Sequence, residues 1–90
     1  MSQAVVDPEQ VRRFAIHLDQ SAASIREQKS GTVAGFARLH ETWRDDKYAR
    51  FDQLFTESMK LLERYLQQSE QYSGFLKQKA ARAQKYLDQC

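Results

Sequence analysis

One unbroken pattern of apolar and small residues runs through the second half of this 90-residue chain. From Tyr48 to Leu87 the steps between these residues are all three or four, which is the spacing of one face of an α-helix. A helix of that length measures about 60 Å at 1.5 Å per residue. The sequence therefore predicts one long helix over about residues 47–88. The pattern consists of Tyr48, Phe51, Phe55, Ser58, Leu62, Tyr65, Ser69, Tyr72, Leu76, Ala80, Ala83 and Leu87.

Further apolar residues make this stripe wider than the narrow seam of a two-stranded coiled coil. They are Leu54, Met59, Leu61, Leu66, Phe75 and Tyr86. One neighbouring helix covers one flank of such a stripe, so the other flank needs a second copy or a different protein. A chain of 90 residues with a single cysteine also lacks a disulfide framework, which makes self-association the expected source of further burial.

A first helix is predicted over about residues 8–41. Asp7 is its expected N-cap, Pro8 fits the first helical position, and Gln10 stands where a capping box has its second member. Val11, Phe14, Leu18, Ser21, Ile25, Gln28 and Thr32 then repeat in steps of three and four, and Phe36, Leu39 and Trp43 continue the stripe. The chain contains one proline and three glycines, so its composition favours helix almost throughout.

The predicted turn covers about residues 42–46 and contains the only tryptophan, Trp43. Asp45 and Asp46 are expected to cap the second helix. Trp43 and Arg44 at the tip of a hairpin have two open interpretations: the indole closes the end of the bundle, or it is presented to a partner. Trp43, Arg44, Asp45 and Asp46 are therefore the candidate turn and recognition residues.

The predicted fold class is all-α, in one domain: an antiparallel two-helix hairpin that dimerises into an elongated four-helix bundle. The candidate residues of the dimer or partner interface are Phe14, Leu18, Ile25, Phe51, Phe55, Leu62, Tyr65, Leu66, Tyr72 and Leu76.

Several classes of function are not expected. The net charge of +2 is small and the cations alternate with carboxylates, so nucleic-acid binding is not predicted. His17 and His40 lack the spacing of metal ligands, and no cofactor is expected. Asp45, Asp46 and Asp52 are explained by capping and ion pairing, so the prediction is that the chain is not an enzyme.

Three features are open to two interpretations each. Gly31 and Gly35 lie four apart in the first helix, where they indicate either close approach of a crossing helix or a kink or break. The lysines and arginines near the end of the second helix are either a docking surface or cations suited to the helix dipole. Cys90 is either a free thiol or a cysteine that forms a disulfide with a partner.

Residues 7–88 resemble the WXG100 family of small ESAT-6-like proteins in their arrangement: a helix, a short turn with a tryptophan, and a longer helix. Trp43 occupies the position of the family tryptophan, while Trp43-Arg44-Asp45 has aspartate in place of the glycine of Trp-x-Gly. The resemblance implies a role in type VII secretion, as a component or a substrate, and a homodimer or a heterodimer with a similar small protein. The Tyr-x-x-x-Asp/Glu export signal of the family is absent near the C-terminus; the one match in spacing, Tyr48 to Asp52, begins the second helix.

A cytoplasmic location is expected, since no stretch reaches the roughly 20 apolar residues of a membrane span and the first residues do not form a cleaved signal peptide. Export without such a signal stays open. The alternative function is a cytoplasmic coiled-coil adaptor or chaperone that binds an amphipathic helix of another protein.

Overall fold

The computed structural model describes residues 6–89 and contains two helices, α1 (Pro8–Leu39) and α2 (Asp46–Asp88). They are joined by a short turn over residues 40–45 and pack against each other as an antiparallel hairpin of 68 × 23 × 15 Å. The predicted all-α hairpin is confirmed, and its association into a four-helix bundle stays a prediction. The two interpretations of Cys90 concern a position outside the described residues.

Helix α1 starts and continues as its local sequence directs. The Asp7 carboxylate accepts a hydrogen bond from the Glu9 amide at 3.0 Å, and Pro8 occupies the first turn. The helix then passes through Gly31 and Gly35 without a break. A Cβ atom added at Gly31 would meet nothing within 4 Å, so neither a break nor a crossing helix within the hairpin accounts for this glycine.

Small residues account for most of the buried positions in the contact between the helices. Ala15, Ala22, Ser69, Ser73 and Ala80 are buried along it, and Leu66 is the one large aliphatic side chain of residues 6–89 that is fully enclosed. Residues without bulky side chains let two helix backbones approach closely. The approach is close enough for the Ser73 hydroxyl to donate a hydrogen bond to the Ala15 carbonyl oxygen at 3.3 Å.

The buried row of α1 differs from the apolar pattern that the sequence analysis emphasised. Pro8, Ala15 and Ala22 are buried, whereas Leu18 and Ile25 are half-buried and Phe14 is 54% exposed. The hairpin therefore turns the alanines toward α2 and moves the large side chains to the edge of the contact. Close packing favours the small residues in the middle, because a phenylalanine there would hold the helices apart.

Ion pairs connect the two helices along one edge of the hairpin. The Arg26 guanidinium and the Lys29 ammonium both contact the Glu63 carboxylate, at 3.0 and 2.9 Å, and Arg26 also reaches Glu70 at 3.2 Å. The hydrogen bonds from Lys29 and Arg26 hold the pKa of Glu63 below its usual value of 4.5. Nearer the open end, Lys77 contacts Asp19 at 2.6 Å, and that contact lowers the pKa of the Asp19 carboxyl.

The enclosed position of Leu66 leads to a stability prediction. Leu66→Ala removes the largest fully buried side chain of the contact, and we expect it to lower the free energy of unfolding by about 2–5 kcal/mol. Urea unfolding followed by circular dichroism measures the difference. The control is Leu87→Ala, a partly exposed leucine in the last turn of α2, which should cost less than about 1 kcal/mol. Equal losses from the two substitutions would contradict the observed packing.

The shared carboxylate of Glu63 leads to a pH prediction. A folded-state pKa below the unfolded value means that the stabilisation is present above the usual glutamate pKa of 4.5 and is lost as the pH falls through the folded value. We therefore expect Glu63→Gln to have a lower urea midpoint than the wild type at pH 7, and the gap to close in more acidic solution. Glu57→Gln, an exposed glutamate of the same helix, is the matched control and should show no such pH-dependent gap.

Candidate protein-binding surface

A continuous row of exposed side chains follows α2 for most of its length. These side chains repeat in alternating steps of three and four, and six of the eight are large apolar or aromatic residues that are between 41% and 64% exposed. We call this the outer row of α2: Phe51, Leu54, Ser58, Leu61, Tyr65, Gln68, Tyr72 and Phe75. The row extends over residues 51–75, about 36 Å of helix, and none of its eight members is charged.

Helix α1 has a matching row with more polar and small members. The outer row of α1 is Phe14, Leu18, Ser21, Ile25, Gln28, Thr32, Gly35 and Leu39, again in steps of three and four. Leu18, Ser21, Ile25 and Gly35 are half-buried and the other four are exposed. No member of this row is charged.

The two outer rows lie on the same side of the hairpin. In α1, Phe14 and Ser21 each come one residue before a buried alanine, and in α2, Tyr65 and Tyr72 each come one residue before the buried Leu66 and Ser73. Both helices are right-handed, and they run in opposite directions. A residue that comes just before a buried position in α1 therefore faces the same side of the hairpin as a residue that comes just before a buried position in α2. The ion-paired side chains occupy the other side. Asp19, Arg26, Glu70 and Lys77 each come four residues after a buried residue, and Glu63 contacts Arg26.

The turn at the tip of the hairpin is held by a single carboxylate. One oxygen of Asp45 accepts the Tyr48 amide hydrogen bond at 3.0 Å and the Trp43 indole N–H hydrogen bond at 2.8 Å. Asp45 is thus the N-cap of α2 and also fixes the indole, while Asp46 is the first residue of the helix. Arg44 donates from its Nε to the His40 carbonyl oxygen at 3.0 Å, so it closes the turn from the α1 side.

Aromatic rings fill the space between the helices behind this turn. Phe36 stacks on Phe55 and Tyr48 at centroid distances of 4.3 and 5.4 Å, and Trp43 meets the edge of Tyr48 at 5.4 Å and lies 6.0 Å from Phe51. Burial raises the pKa of the Tyr48 hydroxyl. Trp43 itself is half-buried, so it closes the end of the hairpin and keeps part of its surface accessible.

The predicted interface residues divide into three groups. Phe14, Phe51, Tyr65 and Tyr72 are exposed members of the outer rows, and Leu18 and Ile25 are half-buried members. Phe55, Leu62 and Leu76 are half-buried within the hairpin. Leu66 has no accessible surface, because it is packed between the helices, so this residue belongs to the core of the single chain and is not available to a partner. Contact of the others with a partner stays a prediction.

The sequence analysis did not place three exposed residues among the interface candidates. Leu54, Leu61 and Phe75 are 57%, 61% and 64% exposed and complete the outer row of α2. The signal that identifies them is the second set of three-and-four steps, which starts at Phe51 and runs beside the first. The first set mixes members of the core with members of the outer row.

Two further properties of residues 6–89 concern binding. Within that range, no three histidine, cysteine or acidic side chains are grouped as a metal ion would require. Neither helix contains, among the described residues, an apolar segment of the length that crossing a bilayer demands.

The double role of Asp45 leads to a prediction at the turn. Asp45→Ala removes the cap and the indole hydrogen bond together, so we expect unfolding to become easier by about 1–2 kcal/mol. Asp45→Gly restores the residue expected in Trp-x-Gly and should lose less stability, since glycine is a tolerable N-cap. Both variants should change the emission of Trp43, the sole tryptophan. Asp46→Ala, next to the cap, is the control and should leave the emission unchanged; an altered spectrum there would contradict the assignment.

A comparison with models of known protein families agrees with the helical hairpin described above. The family model described as WXG100, proteins of 100 residues with WXG, matches residues 3–86. No curated protein and no solved structure gives a significant match. The matched segment includes α1, the turn with Trp43 and all but the last two residues of α2, and it spans nearly the whole chain. The chain belongs to the WXG100 family.

Proposed function

We propose that this ESAT-6-like helical hairpin is a protein-interaction component of, or a substrate for, a type VII-like secretion system. It acts by pairing with a second small helical protein, either another copy of itself or a similar chain, and it performs no catalysis. The family match over residues 3–86 supports the link to secretion.

The observation that carries the pairing is the row of six large exposed residues on α2. Isolated apolar side chains on a surface are ordinary, whereas a continuous strip of them marks a binding site. The strip is straight and helical, with a second uncharged row beside it, so its shape suits one or two further helices packed along it.

The tyrosine that matches the spacing of the family's Tyr-x-x-x-Asp/Glu export signal is not accessible in this chain. Tyr48, the one tyrosine followed four residues later by an acid, is 9% exposed and lies among the rings behind the turn. Its hydroxyl and ring are therefore not presented to a receptor. The proposal is that the chain travels with, or remains behind, a partner that bears the signal.

Deletion of the gene in the native host tests this function. We expect the secretion system to export less of its substrates, and the wild-type gene to restore export. Leu61→Lys, which places a charge in the outer row of α2, should fail to restore it, whereas Gln53→Lys, an exposed position outside that row, should restore it fully.

Unchanged export of the other substrates after deletion, together with retention of this protein inside wild-type cells, in a strain whose FtsK/SpoIIIE-type ATPase is active, would contradict the role in secretion. A helix-binding adaptor or chaperone would then be the better explanation of the same surface. In that case the protein should be found bound to an amphipathic helix of a cytoplasmic protein.

A further inference from the structure

The steps of the outer row of α2 continue past Phe75 to the end of the helix, but the chemistry of the side chains changes there. The same steps of three and four lead from Phe75 to Lys79, Arg82 and Tyr86. All four side chains are exposed, and the two rings are 64% and 72% accessible. Two cations thus stand between two aromatic rings at intervals of about one helical turn. We call Phe75, Lys79, Arg82 and Tyr86 the basic end of α2.

The two cations of the basic end have no acidic neighbour to neutralise them. Residues 71–87 contain four cations and neither aspartate nor glutamate. Among the residues that the structure describes, Lys79 and Arg82 form no ion pair, whereas Arg26 and Lys77 each contact a carboxylate of the opposite helix. The positive potential at this end of the helix is therefore available to a group outside the described part of the chain.

The dipole of α2 does not account for these two positions. A cation stabilises the last turn of a helix, where the carbonyl groups lack helical partners, and the effect falls off within that turn. Lys85 lies in the last turn, whereas Lys79 stands nine residues before Asp88, where the helix ends. The dipole thus explains Lys85 and leaves Lys79 and Arg82 unexplained, which favours the interpretation of these cations as a docking surface.

Part of the basic end projects beyond the first helix. Helix α2 has 43 residues and α1 has 32, and the two run antiparallel from the turn. Ser73 contacts Ala15, so seven residues further along each helix Ala80 reaches the level of Pro8, the first residue of α1. Ala80 is the last buried residue of α2. The final two turns, with Arg82, therefore extend past α1 and can be approached by a partner.

The arrangement of rings and cations indicates the chemistry of that partner. A helix that lies on a membrane surface places its apolar residues on one face and its cations on the polar face. In the basic end, rings and cations share one face, so insertion of Phe75 and Tyr86 among acyl chains would carry Lys79 with them. A helix with carboxylates and apolar side chains at steps of three and four satisfies the cations and the rings together.

We propose that the basic end of α2 is a docking site for an acidic amphipathic helix of another protein. Carboxylates of that helix pair with Lys79 and Arg82, and its apolar side chains pack against Phe75 and Tyr86. The inference adds a second binding site to the proposed function and does not depend on it.

Fluorescence anisotropy with a synthetic helix tests the proposal. The probe is a fluorescein-labelled, alanine-rich peptide with leucine and glutamate at steps of three and four, and the control peptide has lysine in place of each glutamate. The full-length chain should bind the glutamate peptide and should not bind the lysine peptide. Added sodium chloride should weaken the binding, because exposed ion pairs are screened by salt.

A pair of double variants locates the binding on the helix. Lys79→Gln with Arg82→Gln is the test, and Lys60→Gln with Arg64→Gln is the matched control. Each removes one lysine and one arginine from exposed positions of α2, but the control positions lie outside the outer row and its continuation. The test variant should lose affinity about tenfold, as expected for two exposed ion pairs. The control should bind like the wild type, and both should keep the circular dichroism of a helical protein.

The absence of binding between the glutamate peptide and the wild type would overturn the proposal. Equal losses in the two double variants would also overturn it, since net charge and not the basic end would then attract the peptide. Binding to phosphatidylglycerol vesicles by a chain that does not bind the peptide would assign the surface to a membrane instead. The export experiment is independent: unchanged export with retention of the protein in the cell would remove the role in secretion and leave the peptide result as it stands.

Discussion

The close contact between α1 and α2 determines what the rest of the molecule presents. Away from the turn, Ala15, Ala22, Ser73 and Ala80 are buried in that contact, and Leu66 is the large side chain fully enclosed beside them. The leucines, tyrosines and phenylalanines that flank these residues are left at the edge or outside it. An elongated chain that buries three alanines and two serines while Phe14, Leu61, Tyr72 and Phe75 stay exposed gains less from its own core than its composition would allow. The apolar side chains left exposed by this packing are the physical basis of the proposed binding to a partner.

The two sides of the hairpin are chemically distinct, although the residues of both sides flank the same buried positions in the sequence. On one side lie Arg26, Glu63, Glu70 and Lys77, which are satisfied within the chain. On the other side, the members of the two outer rows are uncharged. Ion pairs at a half-exposed edge contribute modestly to stability, but they keep that side soluble while the opposite side remains available for apolar contact.

The helices, the turn and the family could all be predicted from the sequence, because Asp7-Pro8, Asp45 and the steps of three and four are local signals. The identity of the core could not. Phe14 and Ala15 are neighbours, and hydrophobicity favours Phe14 as the buried residue; the structure buries Ala15, because close approach of two backbones outweighs the burial of one ring. Likewise the cap at Asp45 was predictable, whereas its hydrogen bond to the Trp43 indole depends on the shape of the turn.

The contacts of the hairpin differ in the number of residues between the two partners that each contact joins. At the turn, Asp45 and Tyr48 are three residues apart, whereas the Ser73 contact with Ala15 joins residues 58 apart. The entropy lost on closing a loop rises with its length, and contacts near the turn shorten the loop that remains for later ones. We therefore expect α1 and α2 to pair first near the turn and last at the open end of the hairpin. We expect the contacts of the aromatic rings behind the turn to form early and the contact of Ser73 with Ala15 to form late.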